Sequence, residues 1–596
     1  MSYPPENYQN QPRRHRWGLW ILIAVVAIVI IGALLVMAGV AAMLKGSAPV
    51  VRPDSTLVLQ LDRPIVEPPP DPIATQLFGA KMYQMLNLHQ AIRRAAKDSR
   101  IKSLLIEPGM APMGFGQMEQ LRSDIEFFKK SGKPVYAYFE ATGNSGYYLA
   151  STANKIVAPP TANLMITGLY AEVPFLRGAF DKFHIQPQFY HIGKYKSYSD
   201  MFMRKDMSDA QREAMNAILD SLYAQLKSGI AAGRNLPEKV VEDDINKGFL
   251  FGKDLKARGL VDEIGYFDSV RSQLGKVNGT PGDWRYATMS DYEQDHRAGL
   301  ASGAKSTIGV VIASGDIVSG EGDGVKKSTI GSDTVIRWLK KMGRDRSVKA
   351  VVLRVNSPGG SALASDMMWH EVRLLKQKKP VIVSMGDVAA SGGYYLSMGA
   401  DAIVAEPGTI TGSIGVVTGK IVIKGIWDWL GVNHVVMTRG KNANLFSTVQ
   451  TFSPEQEELI QKEMHQFYDT FVSKAAEGRH MTFDQVDKIG RGRVWTGEQA
   501  LKNGLVDKLG GIQTAIDLAK QKAGIPASQP VRLKVYPQTK TLIEAFLNSS
   551  KDDIDAAWAR ANVPPAMRQA LQEYQALKPL ETEPYEAIML ERVKLQ

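Results

Sequence analysis

One segment of this 596-residue chain occurs twice. Glu140 to Pro160 reads EATGNSGYYLASTANKIVAPP, and Asp387 to Pro407 reads DVAASGGYYLSMGADAIVAEP, at an offset of 247 (391 − 144). A repeat constrains the fold more than any bulk property, because whatever the first half builds the second must build again. The likeness extends well beyond this segment. Ile101-Lys-Ser-Leu-Leu-Ile106 matches Val348-Lys-Ala-Val-Val-Leu353, and both apolar runs predict buried strands. Lys133-Pro134-Val135 and Lys379-Pro380-Val381 each open a further strand that ends at the twin segments. Ser208 and Ser453 each precede a turn rich in acid and amide groups, the pattern of a capped helix start. Arg258-Gly-Leu-Val-Asp262 returns as Asn503-Gly-Leu-Val-Asp507. Strands alternating with helices at these lengths predict an α/β fold with parallel pairing. The repeats are placed at 45–300 and 305–525, with a polar connector from Asn278 to Ser306 and a helical tail at 526–596 that is interrupted by Pro564-Pro565 and Pro579.

The N-terminus sets the expected location. Residues 1–16 are polar and end in Arg13, Arg14, His15 and Arg16; Trp17 to Leu44 then carries no charge over 28 residues (44 − 17 + 1). That run exceeds the ~20 residues needed to span a hydrocarbon core and is longer than the apolar region of a cleaved signal peptide. It predicts a single transmembrane anchor at 17–44. The arginines hold the N-terminus in the cytoplasm and everything after Lys45 on the far side, which in a bacterium is the periplasm. The chain has no cysteine, which excludes disulfides and thiol catalysis. The net charge of +11 is spread without a dense basic block or a nucleic-acid-binding motif, so no nucleic-acid partner is expected.

Within the twin segments the copies differ chemically. Ser391 of the second stands where the first has Asn144. Asn356-Ser-Pro-Gly-Gly-Ser361, a turn open enough to aim backbone N–H groups at a ligand, is Gly109-Met-Ala-Pro-Met-Gly114 in the first. Ser413 of Thr411-Gly-Ser-Ile-Gly415 is replaced by Ile166. Conversely, Gly193-Lys-Tyr-Lys-Ser197 keeps Lys194 as Lys441 in the second copy, but Lys196 becomes Ala443. Each copy has lost what the other retains, which points to one composite site with its groups 195 residues apart (391 − 196). A serine hydroxyl needs a base. Of nine histidines only His191 is kept as a candidate; the other is Lys196 in neutral form. Only about 0.04% of free lysine is neutral at pH 7, so a lysine base needs its pKa lowered by ~3 units, about 4 kcal/mol against the charged form. Burial among Tyr195, Tyr198, Met201 and Phe202 would do this by desolvating the ammonium.

Taken together, Asn356-Ser-Pro-Gly-Gly, Asp387-Val-Ala-Ala-Ser-Gly-Gly-Tyr, Thr411-Gly-Ser-Ile-Gly and Gly193-Lys-Tyr-Lys-Ser resemble the long, two-repeat form of the signal peptide peptidase A (protease IV) family, from the anchor to about residue 525. The resemblance implies two tandem β/α spiral repeats related to crotonases and Clp protease. It implies a membrane-bound serine protease that degrades remnant signal peptides and assembles as a homotetramer on the bilayer. Under it Ser391 is the nucleophile, Lys196 the general base, and Ser413 the group that places the lysine. The backbones of Gly360 and Gly392 are the oxyanion donors, with Gly359 shaping the turn. No cofactor or metal is implied. Two rival readings are a crotonase-type acyl-CoA enzyme, which uses a similar glycine-rich turn, and a catalytically silent membrane scaffold. The anchor and the exchange of Ser and Lys between copies argue against the first; the second would lack a dyad member in both copies, which this sequence does not.

Overall fold

The structure, a computed structural model, describes residues 49–70, 82–295, 304–322, 329–538 and 586–588. The expected anchor at 17–44 lies outside these residues. Among the described residues no helix is long and apolar enough to cross a membrane.

Two parallel sheets form the frame. The first runs in the order Glu263–Ile264, Lys155–Ala158, Val135–Tyr138, Ile101–Glu107, Ser55–Gln60, Tyr286–Thr288. The second repeats that order with Lys508–Leu509, Ala402–Ala405, Val381–Ala390, Val348–Ser357, Ser306–Ser314 and Val531–Tyr536. All these pairings are parallel. The β-branched runs around Leu104 and Val351 lie at the centre and are buried on both faces, as parallel strands covered by helices must be. The predicted helix caps are present: Ser208 accepts from the Gln211 N–H to start Asp209–Arg234, and Ser453 forms a reciprocal box with Gln456 to start Pro454–Arg479.

Three stretches differ from expectation. The supposed connector contains the strand Tyr286–Thr288, which pairs with Ser55–Gln60 and completes the first sheet. Val531–Tyr536, assigned to a helical tail, is the matching edge strand of the second sheet. The tail's last described part, Glu586–Ile588, is also a strand. Three residues are too few to show a period at Tyr286–Thr288, while Val531-Arg-Leu-Lys-Val-Tyr536 alternates as a half-wet strand does.

In each repeat a second layer turns away from the main sheet. Val388, Ala389 and Ala390, the end of a main-sheet strand, pair in parallel with Ile410–Gly412, which pairs antiparallel with Val494–Thr496. Ala141–Gly143, Asn163–Met165 and Phe249–Phe251 repeat this arrangement in the first half. The bend carries the chain out of the sheet at the position of Ser391.

The repeats meet through buried polar groups as well as apolar ones. Arg354 donates to both carboxylate oxygens of Glu67, at 2.7 and 3.1 Å, and to the Met385 carbonyl. Glu119 accepts from the Gly408 N–H at 2.8 Å and Asp387 from the Gln117 N–H at 2.8 Å. Burial pushes the Glu119 carboxyl up to about 8 and Asp387 up to about 6, and raises Glu406 well above its usual range. An acid whose folded pKa is raised holds a proton that the unfolded chain has already released. Its stabilisation is therefore complete below about pH 4.5 and is lost as pH rises through the folded value. Chemical denaturation should show stability falling by about 1.4 kcal/mol per pH unit for each such proton, from about pH 5 up to about 6 for Asp387 and up to about 8 for Glu119. Glu119→Gln should flatten that slope.

Candidate active site

Ser391 ends the strand Val381–Ala390 and caps the helix Gly392–Ser397 with φ 54° and ψ −113°. A non-glycine residue there carries roughly 1–3 kcal/mol of backbone strain, held in place by the Ser391 N–H donating to the Gly412 carbonyl at 2.8 Å. The small neighbours follow from packing. A Cβ on Gly392 would stand 2.5 Å from Ser365 Oγ and 3.2 Å from the Cα of Gly359. The Asn356-Ser-Pro-Gly-Gly turn therefore lies directly against the start of the helix, and Asn356 Oδ1 ties it to the same strand by accepting from the Val388 N–H at 3.0 Å. Gly359 and Gly360 have φ of 116° and 141°.

Lys196 arrives from the other repeat. The strand Gln186–Ile192 leaves the first half and pairs antiparallel with Val416–Val422 of the second, from Ile192 opposite Val416 to Gln186 opposite Val422. Lys196 follows Ile192 by one turn, and Ser413 precedes Val416 by three residues, so this register sets them face to face. Lys196 Nζ lies 2.8 Å from Ser391 Oγ, 3.0 Å from Ser413 Oγ and 3.2 Å from the Ser413 carbonyl. Lys196 is 2% exposed and Ser391 0%. The turn is backed by Phe189, Tyr198, Phe202 and Val417, an apolar cluster drawn from both repeats. Ser413, like Ser391, has a positive φ, 55°.

A segment that sequence reasoning missed braces this arrangement. Arg491 O accepts from the Tyr195 N–H at 2.8 Å, Arg493 O accepts from the Ser413 N–H at 2.8 Å, and the Gly492 N–H donates to Ile414 O at 2.6 Å. The three residues thus grip both the lysine turn and the Ser413 turn. A Cβ on Gly492, at φ 80°, would stand 2.4 Å from the Lys196 backbone nitrogen. Arg493 adds an ion pair to Glu213 and a hydrogen bond to the Tyr195 hydroxyl at 3.1 Å. The one available sequence signal was that Gly492 stands where the first copy has Lys247, two residues before the equivalent strands Val494–Thr496 and Phe249–Phe251.

His191 is exposed, with Nδ1 3.0 Å from the Gly193 carbonyl of its own turn. Lys194 and Lys441 are exposed too. At the first repeat's equivalent of the nucleophile position, the Asn144 side chain donates to the Gly168 carbonyl at 2.9 Å and accepts from the Gly168 N–H at 3.2 Å, while Ile166 is fully buried. That copy has turned its polar position into a loop fastener.

A hydroxyl on a strained turn thus lies at hydrogen-bond distance from an amine of the other α/β repeat, with a glycine turn packed against the helix that the hydroxyl caps. The sequence profile of Peptidase family S49 matches at residues 127–279 and again at 373–526, once in each repeat, and the chain belongs to this family of serine proteases. It is 38% identical to the chloroplastic serine protease SPPA of Arabidopsis thaliana over 76% of this chain and 68% of that one. It is 31% identical to Protease 4 of Salmonella typhi, over 84% and 81%, and 33% identical to Protease 4 of Haemophilus influenzae, over 72% of each. Solved structures match far more loosely. A variant of the 1510-N membrane-bound stomatin-specific protease aligns at 16% identity and a TM-score of 0.26, covering 39% of this chain and 99% of that one.

If Gly492 sets the position of Lys196, Gly492→Ala should lower kcat on a peptide substrate by about 10²-fold, the size expected for a displacement near 1 Å. KM should change little, and steady-state kinetics separates the two.

Proposed function

We propose that the chain is a membrane-anchored endopeptidase with a Ser–Lys dyad that degrades cleaved signal peptides at the bacterial cytoplasmic membrane. The observation that carries this reading is the 2.8 Å approach of Lys196 Nζ to Ser391 Oγ across 195 residues of chain. Neutral Lys196 takes the hydroxyl proton as Ser391 Oγ attacks a peptide carbonyl carbon. The N–H groups of Gly360 and Gly392 receive the developing oxyanion, and the acyl-enzyme forms as the lysine returns the proton to the leaving amine. Lys196 then takes a proton from water as the water oxygen attacks the acyl carbon, and returns it to Ser391 Oγ as the bond to the acyl group breaks. Ser413 holds the amine in line. Burial supports a neutral amine, because desolvation disfavours ammonium. The apolar run 17–44 supports anchoring with the cytoplasmic segment 1–16 before it, the repeats at 45–300 and 305–525 in the periplasm and the segment 526–596 after them. A site held near the bilayer suits apolar peptides. The second layer turned off each main sheet agrees with a spiral of the crotonase and Clp-protease kind.

The dyad makes a sharp prediction. Ser391→Ala and Lys196→Ala should each lower turnover of an unfolded protein by on the order of 10³-fold or more while the fold persists. A peptidyl serine-reactive probe should label position 391 in the native chain and fail to do so in Lys196→Ala. Normal turnover in either variant would remove the dyad.

The repeat also supports a homo-oligomer. Gln186–Ile192 of the first half docks on Val416–Val422 of the second. At the same offset of 247, the second half's counterpart of the docking segment is 433–439 (186 + 247, 192 + 247), exposed throughout and in no strand. The first half's counterpart of the acceptor is 169–175, with Tyr170 53% exposed. Segment 433–439 of one copy therefore suits 169–175 of the next, head to tail, and a tetramer closes such a ring. Joints between copies would bring Ala443 to Asn144, so they would be silent, with one active site per chain. Phe189 is buried at the internal joint, and its counterpart Val436 is 41% exposed. Val436→Asp should reduce the particle measured by light scattering in detergent from an oligomer to a single chain.

A further inference from the structure

A cleft of about 980 Å³ lies between the repeats, large enough for a small-molecule ligand. One wall is the last turns of the helix Met85–Lys97 and the turn after it, from the first repeat. The other is the helix Ile512–Lys522, the loop behind it and the start of the strand Val531–Tyr536, from the second. Six Lys and Arg side chains line it: Arg93, Arg94, Lys97 and Arg100 on the first wall, Lys520 and Arg532 on the second. The lining carboxylates are Asp98 and Asp517. Arg100 is taken up by Asp98 at 2.7 Å and Asp295 at 2.6 Å, and Arg93 stands 3.5 Å from Asp124. Among the described residues no carboxylate pairs with Lys97, Lys520 or Arg532. Asp517, which accepts from the Gln513 side chain at 2.9 Å, offsets one of these charges and leaves an excess.

Lys520 carries the most weight. It is 7% exposed, and its ammonium donates to the Ala527 carbonyl at 2.6 Å. An ammonium has three N–H donors, and burying its charge without an anion is costly. The loop behind the helix does not require it. In the first repeat, at the offset of 245 (503 − 258) that holds in this region, the same position is Gly275. There the Thr280 N–H closes the turn on the Gly275 carbonyl at 2.8 Å, as the Ile525 N–H does on the Lys520 carbonyl at 2.9 Å. A turn that glycine builds equally well has no use for a buried ammonium, whereas an anion in the cleft does.

We propose that this cleft binds a phosphate group, carried by an acidic phospholipid headgroup or by a soluble phosphate ester, between Lys97 of the first repeat and Lys520 and Arg532 of the second. A phosphate presents acceptor oxygens on all sides, so it takes charge-assisted N–H donors from both walls at once. Bound there, it ties the repeats together away from the Ser391 site. The position favours a lipid. Arg100 and the Val51 N–H share Asp295 Oδ2, at 2.6 and 3.2 Å. Val51 follows Leu44, the end of the expected anchor, by seven residues (51 − 44), a span of at most about 25 Å. That preference rests on the reading of 17–44 as an anchor; the phosphate site itself does not.

The test follows the thermal unfolding midpoint of the full chain in lipid nanodiscs. Discs of phosphatidylcholine alone, discs with phosphatidylglycerol, and phosphatidylcholine discs with added inorganic phosphate are compared, with sodium chloride holding ionic strength constant. A ligand that binds only the folded chain raises the midpoint. The proposal expects a rise of a few degrees that is lost in Lys520→Met. It is also lost in Lys97→Gln/Arg532→Gln, a pair of exposed positions that leaves the buried lysine in place. Ser391 should label with a fluorophosphonate in these variants as in the unaltered chain, which shows that they fold. A rise with phosphatidylglycerol identifies the headgroup and a rise with phosphate alone a soluble ester; either supports the site. No rise with either, or the same rise in the variants, would overturn it. Failure of the full chain to enter phosphatidylcholine discs would instead remove the anchor and the lipid source, and the phosphate comparison in buffer then decides the site.

Discussion

Everything at the site depends on one antiparallel strand pairing, Gln186–Ile192 against Val416–Val422. The strand pairings of the two parallel sheets are complete without it. The pairing joins them with the register that sets Ile192 beside Val416. Since side chains alternate along a strand, a slip of one residue would exchange the faces of Phe189 and Tyr190 and move the following turn by about 3.4 Å. A contact of 2.8 Å between an amine and a hydroxyl does not survive such a slip. The bracing of both turns by 491–493 is a second constraint on the same distance.

Duplication supplies the material, and divergence supplies the asymmetry. Each repeat bends a strand out of the main sheet and starts a helix at the bend, but only the second copy holds a non-glycine residue there, Ser391, at a positive φ. In the second copy that position carries a hydroxyl. In the first it carries Asn144, whose amide closes on Gly168, the counterpart of Gly415. The same exchange occurs at Ile166 and Ser413: one fills a core and the other faces the amine. Burial of ionisable groups is not confined to the site. Glu67 and Arg354 form an enclosed pair between the repeats, and Glu119, Glu406 and Asp387 sit near them. A fully desolvated ion pair contributes little net stability compared with well-packed apolar groups, but losing one partner leaves the other charge stranded. Such groups penalise any docking of the halves other than the native one.

Much of this was legible in the residues. The internal repeat was visible as matched strings, and the alternation of strands with helices followed from hydrophobic runs punctuated by Gly and Pro. The complementary loss at 391 and 196 picked out two side chains that the structure brings together, because functional groups retained on only one copy of a duplicated scaffold are conspicuous. The edge strands were missed for different reasons: Tyr286–Thr288 is three residues long, too short for any periodicity, whereas the alternation of Val531-Arg-Leu-Lys-Val-Tyr536 was a strand signal passed over inside a supposed tail. Gly492 was equally silent, since its importance lies in the backbone of a residue 296 positions away (492 − 196). The strand Glu586–Ile588 was hidden for the same reason, its partners being the glycine turn and a strand of another layer.

The amino-acid sequence by itself determined that there are two copies of one α/β unit, which positions bend, and which copy keeps a hydroxyl and which an amine. These are local matters of periodicity, cap chemistry and steric room at a turn. Only the tertiary structure decided that the amine of one half reaches the hydroxyl of the other, and which segment lies across the glycine turn. Both are choices of register between edges hundreds of residues apart. Such edges acquire partners only after each sheet has formed and its unpaired N–H and C=O groups have become the remaining demand to satisfy.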